Sequence, residues 1–320
     1  MVHIMMATYN GEKYIAEQIE SILKQTYIEW KLFIRDDGSE DCTTRIIQEY
    51  MNKYPMKIFM MESNTIYHEA KRNFAALYEK VPEAEYYAFC DQDDIWKENK
   101  LQECVSYFQR NENSIPTLIY HDMYVGTDEK HVIDKPYFEY SGLRLDPDMP
   151  FQRTLLYNTI PGCAMLFNDK LRKAVKKIPK ECNMHDWWML LCVLALDGNV
   201  IYCDEKLSIY RQHASNEIGV IKKTPAWKLT LKCFEIFRIK YYLNRNNLLK
   251  KERIIQTKAL CEILCNKISR KNKNVLEEYL KLLKNGRGVS AYCRARKQGL
   301  VFENKLYTCL LYTSDAADDL

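Results

Sequence analysis

Apolar and polar positions change period in a regular order through the first half of the chain. Val2 to Thr8 is a nearly continuous apolar run closed by Tyr9-Asn10-Gly11, the signature of a buried strand and a turn. Ile15, Ile19, Ile22 and Leu23 then recur at i, i+4, i+7 and i+8, which predicts a helix. Trp30 to Arg35 reads as a second strand, ended by Asp36-Asp37-Gly38-Ser39. Asp41 stands where it can cap a helix that carries Ile46, Ile47 and Tyr50 and stops before Pro55. Lys57 to Met61 reads as a strand, Ala70 to Lys80 as a helix and Tyr86 to Cys90 as a strand. A helix through Phe108 and a strand from Thr117 to His121 follow. This alternation predicts an α/β class with a mostly parallel central sheet flanked by helices.

Beyond about Lys222 the pattern becomes long, Lys- and Arg-rich and helical, without strand runs. The expected division is an α/β domain over 1–221, a basic helical C-terminal region over 222–308 and a tail over 309–320. The tail's Ala/Asp composition matches nothing before it and reads as a non-native extension. Charge follows the same division. Residues 222–300 hold 21 Lys and Arg against 5 Glu, whereas the rest of the chain holds 26 basic and 38 acidic side chains. An acidic front and a basic back imply two jobs.

The 320 residues are enough for one large domain with an appendage, or two modest domains. Most of the twelve cysteines lie in apolar runs, without a Cys-x-x-Cys pair, and read as small core residues of a reducing compartment. The apolar run after Met1 is too short for a signal segment, and no run reaches the length of a membrane span. A cytoplasmic location is expected, extending to the inner face of the cell membrane.

The chemistry gathers at strand ends, where open α/β sheets bind ligands. Asp91, Asp93 and Asp94 follow directly on the Tyr86–Cys90 run. Like charges this close repel unless a cation sits among them, and carboxylates suit Mg²⁺ or Mn²⁺. The competing reading is an acidic loop that N-caps a helix starting near Lys97. His185-Asp186-Trp187-Trp188 reads equally as a capped helix start with tryptophans in the core. The two His-Asp pairs, at His121 and His185, also admit a metal-dependent phosphohydrolase, an all-helical class that the strand-like run before His121 disfavours.

Several motifs together carry a resemblance. Ala7-Thr8-Tyr9-Asn10-Gly11-Glu12, Ser21 to Tyr27 and Asp36-Asp37-Gly38-Ser39 resemble the nucleotide-binding half of family 2 glycosyltransferases. Asp91-Gln92-Asp93-Asp94 is similar to that family's D-x-D, and His185-Asp186-Trp187-Trp188 to the position of its catalytic base. Tyr210-Arg211-Gln212-His213, with Ser215-Asn216, resembles the rhamnosyltransferase-like subgroup. The resemblance spans residues 2–220 and implies the GT-A fold, a nucleotide-diphospho-sugar transferase domain.

What the resemblance implies can be written residue by residue. Asp186 is the base of an inverting transfer, with Trp187 and Trp188 as apolar walls that raise its pKa and stack on a sugar. Asp93 is the main metal ligand, Asp91 shares the metal or lies nearer the ribose, and His213 completes the coordination. Asp94 is a further acid or only a cap. Asp37 meets the pyrimidine ring and Tyr9 stacks on it, with Ala7 and Glu12 in the same turn. Arg211 faces the phosphates or makes an ion pair. Gly162 allows close approach beneath donor and acceptor, or is a plain turn. The donor is a nucleotide-diphospho-sugar, dTDP-rhamnose or a UDP-sugar. The acceptor is a hydroxyl of a cell-surface polysaccharide or a lipid-linked glycan. A non-catalytic nucleotide- or glycan-binding relative is the alternative.

Lys222 to Lys251 mixes aromatics with lysine and arginine, which suits an anionic membrane surface and hence peripheral membrane association. A helix packed on the catalytic domain with a solvated basic face accounts for the same pattern. Nucleic acid is not expected as a partner, since no binding module accompanies the charge.

Overall fold

β1 (Val2–Thr8) is buried at all seven positions, so its apolar run is continuous rather than alternating. A strand in the middle of a sheet covered on both faces must be apolar on both. Ile4 and Met6 point into one core, with Ile15, Ile19 and Ile22 of α1 (Ile15–Leu23). Met5 and Ala7 point into the other, with Phe74 and Leu77 of α3 (Ala70–Lys80). The computed structural model describes the chain except residues 63–64, 112–113, 144–148, 214–235, 287, 303–310 and 313–320. For 236–247 and 288 it describes the backbone alone.

The first four strands form the expected parallel unit. β2 (Trp30–Asp36) and β4 (Tyr86–Cys90) flank β1, and β3 (Ile58–Met60) pairs with β2. α2 (Thr43–Lys53) crosses between β2 and β3. The full order is β3-β2-β1-β4-β8-β6-β9-β5, with β7 beside β6. The later strands are β5 (Ile95–Trp96), β6 (Thr117–Gly126), β7 (Val132–Pro136), β8 (Met165–Asn168) and β9 (Asn199–Arg211). β8 enters antiparallel between β4 and β6, and β9 runs parallel to β6 with breaks of register near Asp122. The far end of β9 then pairs antiparallel with β5, Ile209 opposite Ile95. That pairing returns Tyr210 to His213 over the loop after β4.

The helix expected near Lys97 begins only at Lys100, as α4 (Lys100–Arg110), because Ile95 and Trp96 are drawn into the sheet. The N-cap of α2 is Cys42 and not the expected Asp41, which stands one residue earlier and accepts the Thr43 N–H at 2.9 Å. Three short helices follow: α5 (Tyr137–Ser141), α6 (Phe151–Thr154) and α7 (Asp169–Ala174). α8 (His185–Ala195) is buried on every side, with only Leu194 partly exposed. It lies between the sheet and the C-terminal helices, which explains a sequence with no polar face.

Those helices are α9 (Ile236–Leu264), α10 (Arg270–Asn285) and α11 (Gly288–Lys297). Ile254, Leu260, Leu276, Tyr279 and Leu283 share one continuous core with α8 and β6. Polar contacts fasten the join. Arg253 donates twice to the Leu156 carbonyl, at 3.1 and 2.9 Å, and the Tyr279 hydroxyl donates to the Leu155 carbonyl at 3.0 Å. Lys250 and Arg253 are buried at this join, while Lys258, Lys267, Lys271 and Lys281 are exposed. Of the aromatic and basic segment 222–251, residues 222–235 and the side chains of 236–247 lie outside the described residues. Within the 309–320 tail, Leu311 and Tyr312 are buried, and Tyr312 donates to the Leu300 carbonyl. Among the described residues no helix is long and apolar enough to cross a membrane.

Tyr279→Phe should cost about 1–2 kcal/mol, because it leaves the buried Leu155 carbonyl without its donor. Arg253→Met should cost more, since it removes both bonds to Leu156. Urea unfolding checks this, and wild-type midpoints for both variants would contradict a shared core.

Candidate active site

Four aspartates and one short turn make up the centre of the site. Asp91 and Asp93 are partly exposed at the end of β4, while Asp94 is buried. Asp94 Oδ1 accepts the Arg211 N–H at 3.3 Å, and Oδ2 is buried without a hydrogen-bond partner. The helix-cap reading of Asp94 is therefore corrected: β5 intervenes before α4, and the carboxylate turns inward. Asp91, Asp94 and the Cys163 thiol offer ligand atoms all within 4.8 Å of one another. Burial pushes the Asp91 carboxyl well above its usual range, and the charges of Asp94, Asp93 and Asp186 add to the effect. Burial, helped by the Asp93 charge, lifts Asp94 to about 7. A buried oxygen without a donor, among carboxylates that resist ionising together, fits a hard divalent cation.

Gln92 does a separate job. Its side chain accepts the Tyr9 N–H at 3.0 Å and donates to the Tyr9 carbonyl at 2.9 Å, stapling the turn after β1 to the loop after β4. Gly11 makes room for it, since a Cβ there would lie 2.2 Å from Gln92 Oε1.

The end of β9 covers this loop. His213 Nε2 lies 2.6 Å from Asp93 Oδ2, and its ring stacks on Tyr14 at 4.6 Å. His213 thus meets Asp93, the pair expected to share a metal, while the tightest donor group is Asp91, Asp94 and Cys163. Arg211 is 5% exposed and braces the loop rather than lying open toward it. Its guanidinium donates to the Asp93 carbonyl at 2.7 Å, to the Thr127 carbonyl, and to Glu17 at 2.5 Å. Arg211 thus makes an ion pair in which the guanidinium is buried and Glu17 is half exposed.

The turns after β1 and β2 form the other half. Asp36 is consumed by the Thr8 and Ser39 hydroxyls and the Gly38 and Ser39 N–H groups, so it shapes the loop. Asp37 is buried against Arg35 at 3.2 Å and accepts the Tyr67 N–H at 2.8 Å. Tyr9 is 41% exposed and meets the His68 ring edge-on at 5.0 Å. Glu12 accepts the Cys42 N–H, and Ala7 is buried in β1, so both support the turn from below.

Asp186 sits in the first turn of α8. Oδ2 accepts the Gly162 N–H at 3.0 Å and Oδ1 accepts the Trp187 N–H at 2.5 Å. Burial nevertheless raises its carboxyl to about 6. His185 stacks on Phe74 at 4.0 Å, and neither ring nitrogen has a partner, so burial drops it to about 3 and keeps it neutral. Gly162 is required here by His185, since a Cβ would lie 2.7 Å from His185 Nε2. The sugar-stacking role expected of the tryptophans is corrected, because both indoles belong to the core and Trp187 donates to the Thr154 carbonyl. The phosphohydrolase reading also fails. His121 is enclosed, bonded to its own neighbour's carbonyl, in an α/β fold.

Cys163, Tyr137 and Lys100 escaped the sequence reading. Tyr137 and Tyr210 pack with ring centroids 5.3 Å apart, and burial pushes both phenols up beside Cys163 and the aspartates. Only Tyr210 carried a signal, as part of a motif. The turn over Gly162–Ala164 joins Asp186 to the β4 carboxylates: Gly162 holds Asp186, and Cys163 faces Asp91 and Asp94.

The sequence model described as glycosyl transferase family 2 matches residues 3–174. The dTDP-rhamnosyl transferase RfbG of Shigella flexneri is 28% identical over 258 residues, covering 74% of this chain and 80% of its own length. The Staphylococcus aureus poly(ribitol-phosphate) beta-N-acetylglucosaminyltransferase TarS is 31% identical over 114 residues, or 35% of this chain and 19% of that protein. A TarS 1-349 crystal structure in complex with UDP-GlcNAc superposes with a TM-score of 0.57 at 14% identity, covering 97% of this chain and 90% of that one. The Pyrobaculum calidifontis mannosyltransferase PcManGT in complex with GDP-Man and Mn²⁺ gives 0.52 at 13% identity, covering 97% and 84%. The sheet and its flanking helices have the GT-A arrangement.

Gly11→Ala and Gln92→Ala should each weaken nucleotide binding about 10-fold by releasing the same staple, and the double variant should be little worse than either. Calorimetric titration checks this, and fully additive losses would mean that the two residues act separately.

Proposed function

The chain belongs to glycosyl transferase family 2 and is a glycosyltransferase, and we propose that it moves a sugar with inversion from a nucleotide-diphospho-sugar. The observation that carries this reading is the convergence of Asp186 on the β4 carboxylates through the single turn Gly162–Ala164. Asp186 is the general base. Two backbone N–H groups orient its carboxylate, and a value of about 6 leaves it ionised at neutral pH yet more basic than a free aspartate. Neutral His185 beside it brings no charge that would oppose this basicity. The base takes the acceptor hydroxyl's proton as that oxygen attacks the anomeric carbon, on the side opposite the departing nucleoside diphosphate.

Asp37 and Tyr9 receive the nucleotide base, and Ala7 and Glu12 support the turn that presents them. Asp93 and Asp91, with Asp94 and Cys163 behind them and His213 on Asp93, would hold Mg²⁺ or Mn²⁺. Such an ion supplies charge neutralisation for the diphosphate. Arg211 acts through the loop it braces. The similarity to RfbG favours dTDP-rhamnose as donor over a UDP-sugar. The acceptor we propose is a hydroxyl of a cell-surface polysaccharide or a lipid-linked glycan precursor, a reading to which the polymer named in TarS lends support.

Asp186→Asn should abolish transfer while leaving donor affinity within about 3-fold, and equal loss of both would contradict the base role. Because the base works deprotonated, wild-type kcat should fall as pH drops below about 6 and level off above it. A flat acid limb would remove Asp186 from that role.

Thermal-shift screening of nucleotide diphosphates with Mn²⁺ tests donor and metal together. Thymidine diphosphate should stabilise most, and Asp93→Ala should lose the metal-dependent part. Folded-state values raised above the unfolded carboxylate range mean that the cluster costs more stability as pH rises from about 4 through 7. Mn²⁺ alone should therefore stabilise more near pH 8 than near pH 5.5. Equal shifts at both pH values would argue against binding at these carboxylates, and a preference for uridine would overturn the rhamnose reading.

A further inference from the structure

Lys100 opens α4 and is 0% exposed. Its ammonium donates to the Cys163 carbonyl at 2.7 Å and stands 3.8 Å from the Trp96 ring centroid. The titratable groups that interact with its charge include Cys163, Cys104, Cys90, Asp94 and the neutral, buried His121. A buried ammonium is costly and persists only where anionic groups and acceptors offset it. The Cys163 carbonyl supplies the acceptor, and the Asp94 carboxyl favours the ammonium through space to the extent that it ionises, without an ion pair between them.

The carbonyl that Lys100 grips lies in the turn between Asp186 and the β4 carboxylates. One residue earlier, the Gly162 N–H fixes Asp186. The Cys163 side chain itself meets Asp91 and Asp94. We propose that Lys100 is a positioning residue for the transfer: it fixes the Gly162–Ala164 turn so that Asp186 keeps its place relative to the β4 carboxylates. Its standing charge also moderates how tightly those carboxylates hold a cation. The inference rests on Asp186 as base and on the β4 carboxylates as the cation holders.

Two effects of opposite sign separate this role from a merely structural one. Lys100→Met removes both the donor and the charge. Turnover should fall about 100-fold with donor KM within about 3-fold, as expected when a base is misplaced by a fraction of an ångström. Mn²⁺ binding to the same folded variant, measured by electron paramagnetic resonance without substrate, should tighten about 5-fold, because a positive charge has left the cluster. Lys100→Arg keeps charge and donor and should recover at least part of the turnover with wild-type Mn²⁺ affinity.

Wild-type turnover in folded Lys100→Met would overturn the positioning role, and unchanged Mn²⁺ affinity would overturn the moderating charge. If Lys100→Met fails to fold, Lys100→Gln replaces it, keeping a donor without the charge. Lys100→Gln should tighten Mn²⁺ binding and retain part of the turnover; Mn²⁺ affinity equal to wild type would again overturn the charge. Absence of Mn²⁺ binding to the wild type would refute the cation reading itself. The turnover comparison would still decide the fate of the Lys100 grip.

Discussion

Confining like charges is the constraint around which this site is built. Asp91, Asp93 and Asp94 end one strand, and Asp186 comes near enough to raise Asp91 further. In water such a group would simply spread apart. Here the strand end is held by Gln92 and by Arg211, which reaches from β9 to the Asp93 carbonyl, so the charges must be offset where they stand. Two groups face them: the His213 ring lies 2.6 Å from Asp93, and the buried Lys100 acts on Asp94 through space.

The turns after β1 and β2 are organised in the opposite way. Asp36 and Asp37 are adjacent acids, yet they do not compete. Asp36 is neutralised locally by hydroxyls and loop N–H groups, and Asp37 by the Arg35 guanidinium and the Tyr67 N–H. Arg35 in turn donates to Asn73 and to the Thr65 carbonyl, so its charge is pinned from three sides. The acids of these turns are satisfied as they stand, whereas the end of β4 carries an orphaned oxygen and raised carboxyls.

Much of this was legible in the residues alone. The placing of Asp91 to Asp94 at the end of an apolar run, the turn after Asp36 and the helical start at His185 all follow from period and turn chemistry. Motif order added the roles proposed for Asp186 and His213. What escaped notice depends on distant segments. Lys100 resembles any surface lysine opening a helix, and only the fold brings it to Cys163, 63 positions away. Tyr137 stands in a stretch without clear periodicity. The tryptophans were assigned a sugar face because composition cannot tell a wall from a core. β5 was hidden because two residues have no period.

Sequence by itself determined which residue types end the main strands, the alternation of strands and helices through the first half, and that an acidic front precedes a basic back. Those properties are local, set by side-chain alternation, turn residues and composition within a few positions. Tertiary structure alone decided which carboxylates share a boundary, which of them resist ionisation and which charge lies beneath them. Those properties depend on burial and on separations of a few ångströms between segments up to 194 residues apart, as Glu17 and Arg211 are. Electrostatic coupling and desolvation act through space, so no window along the chain contains them.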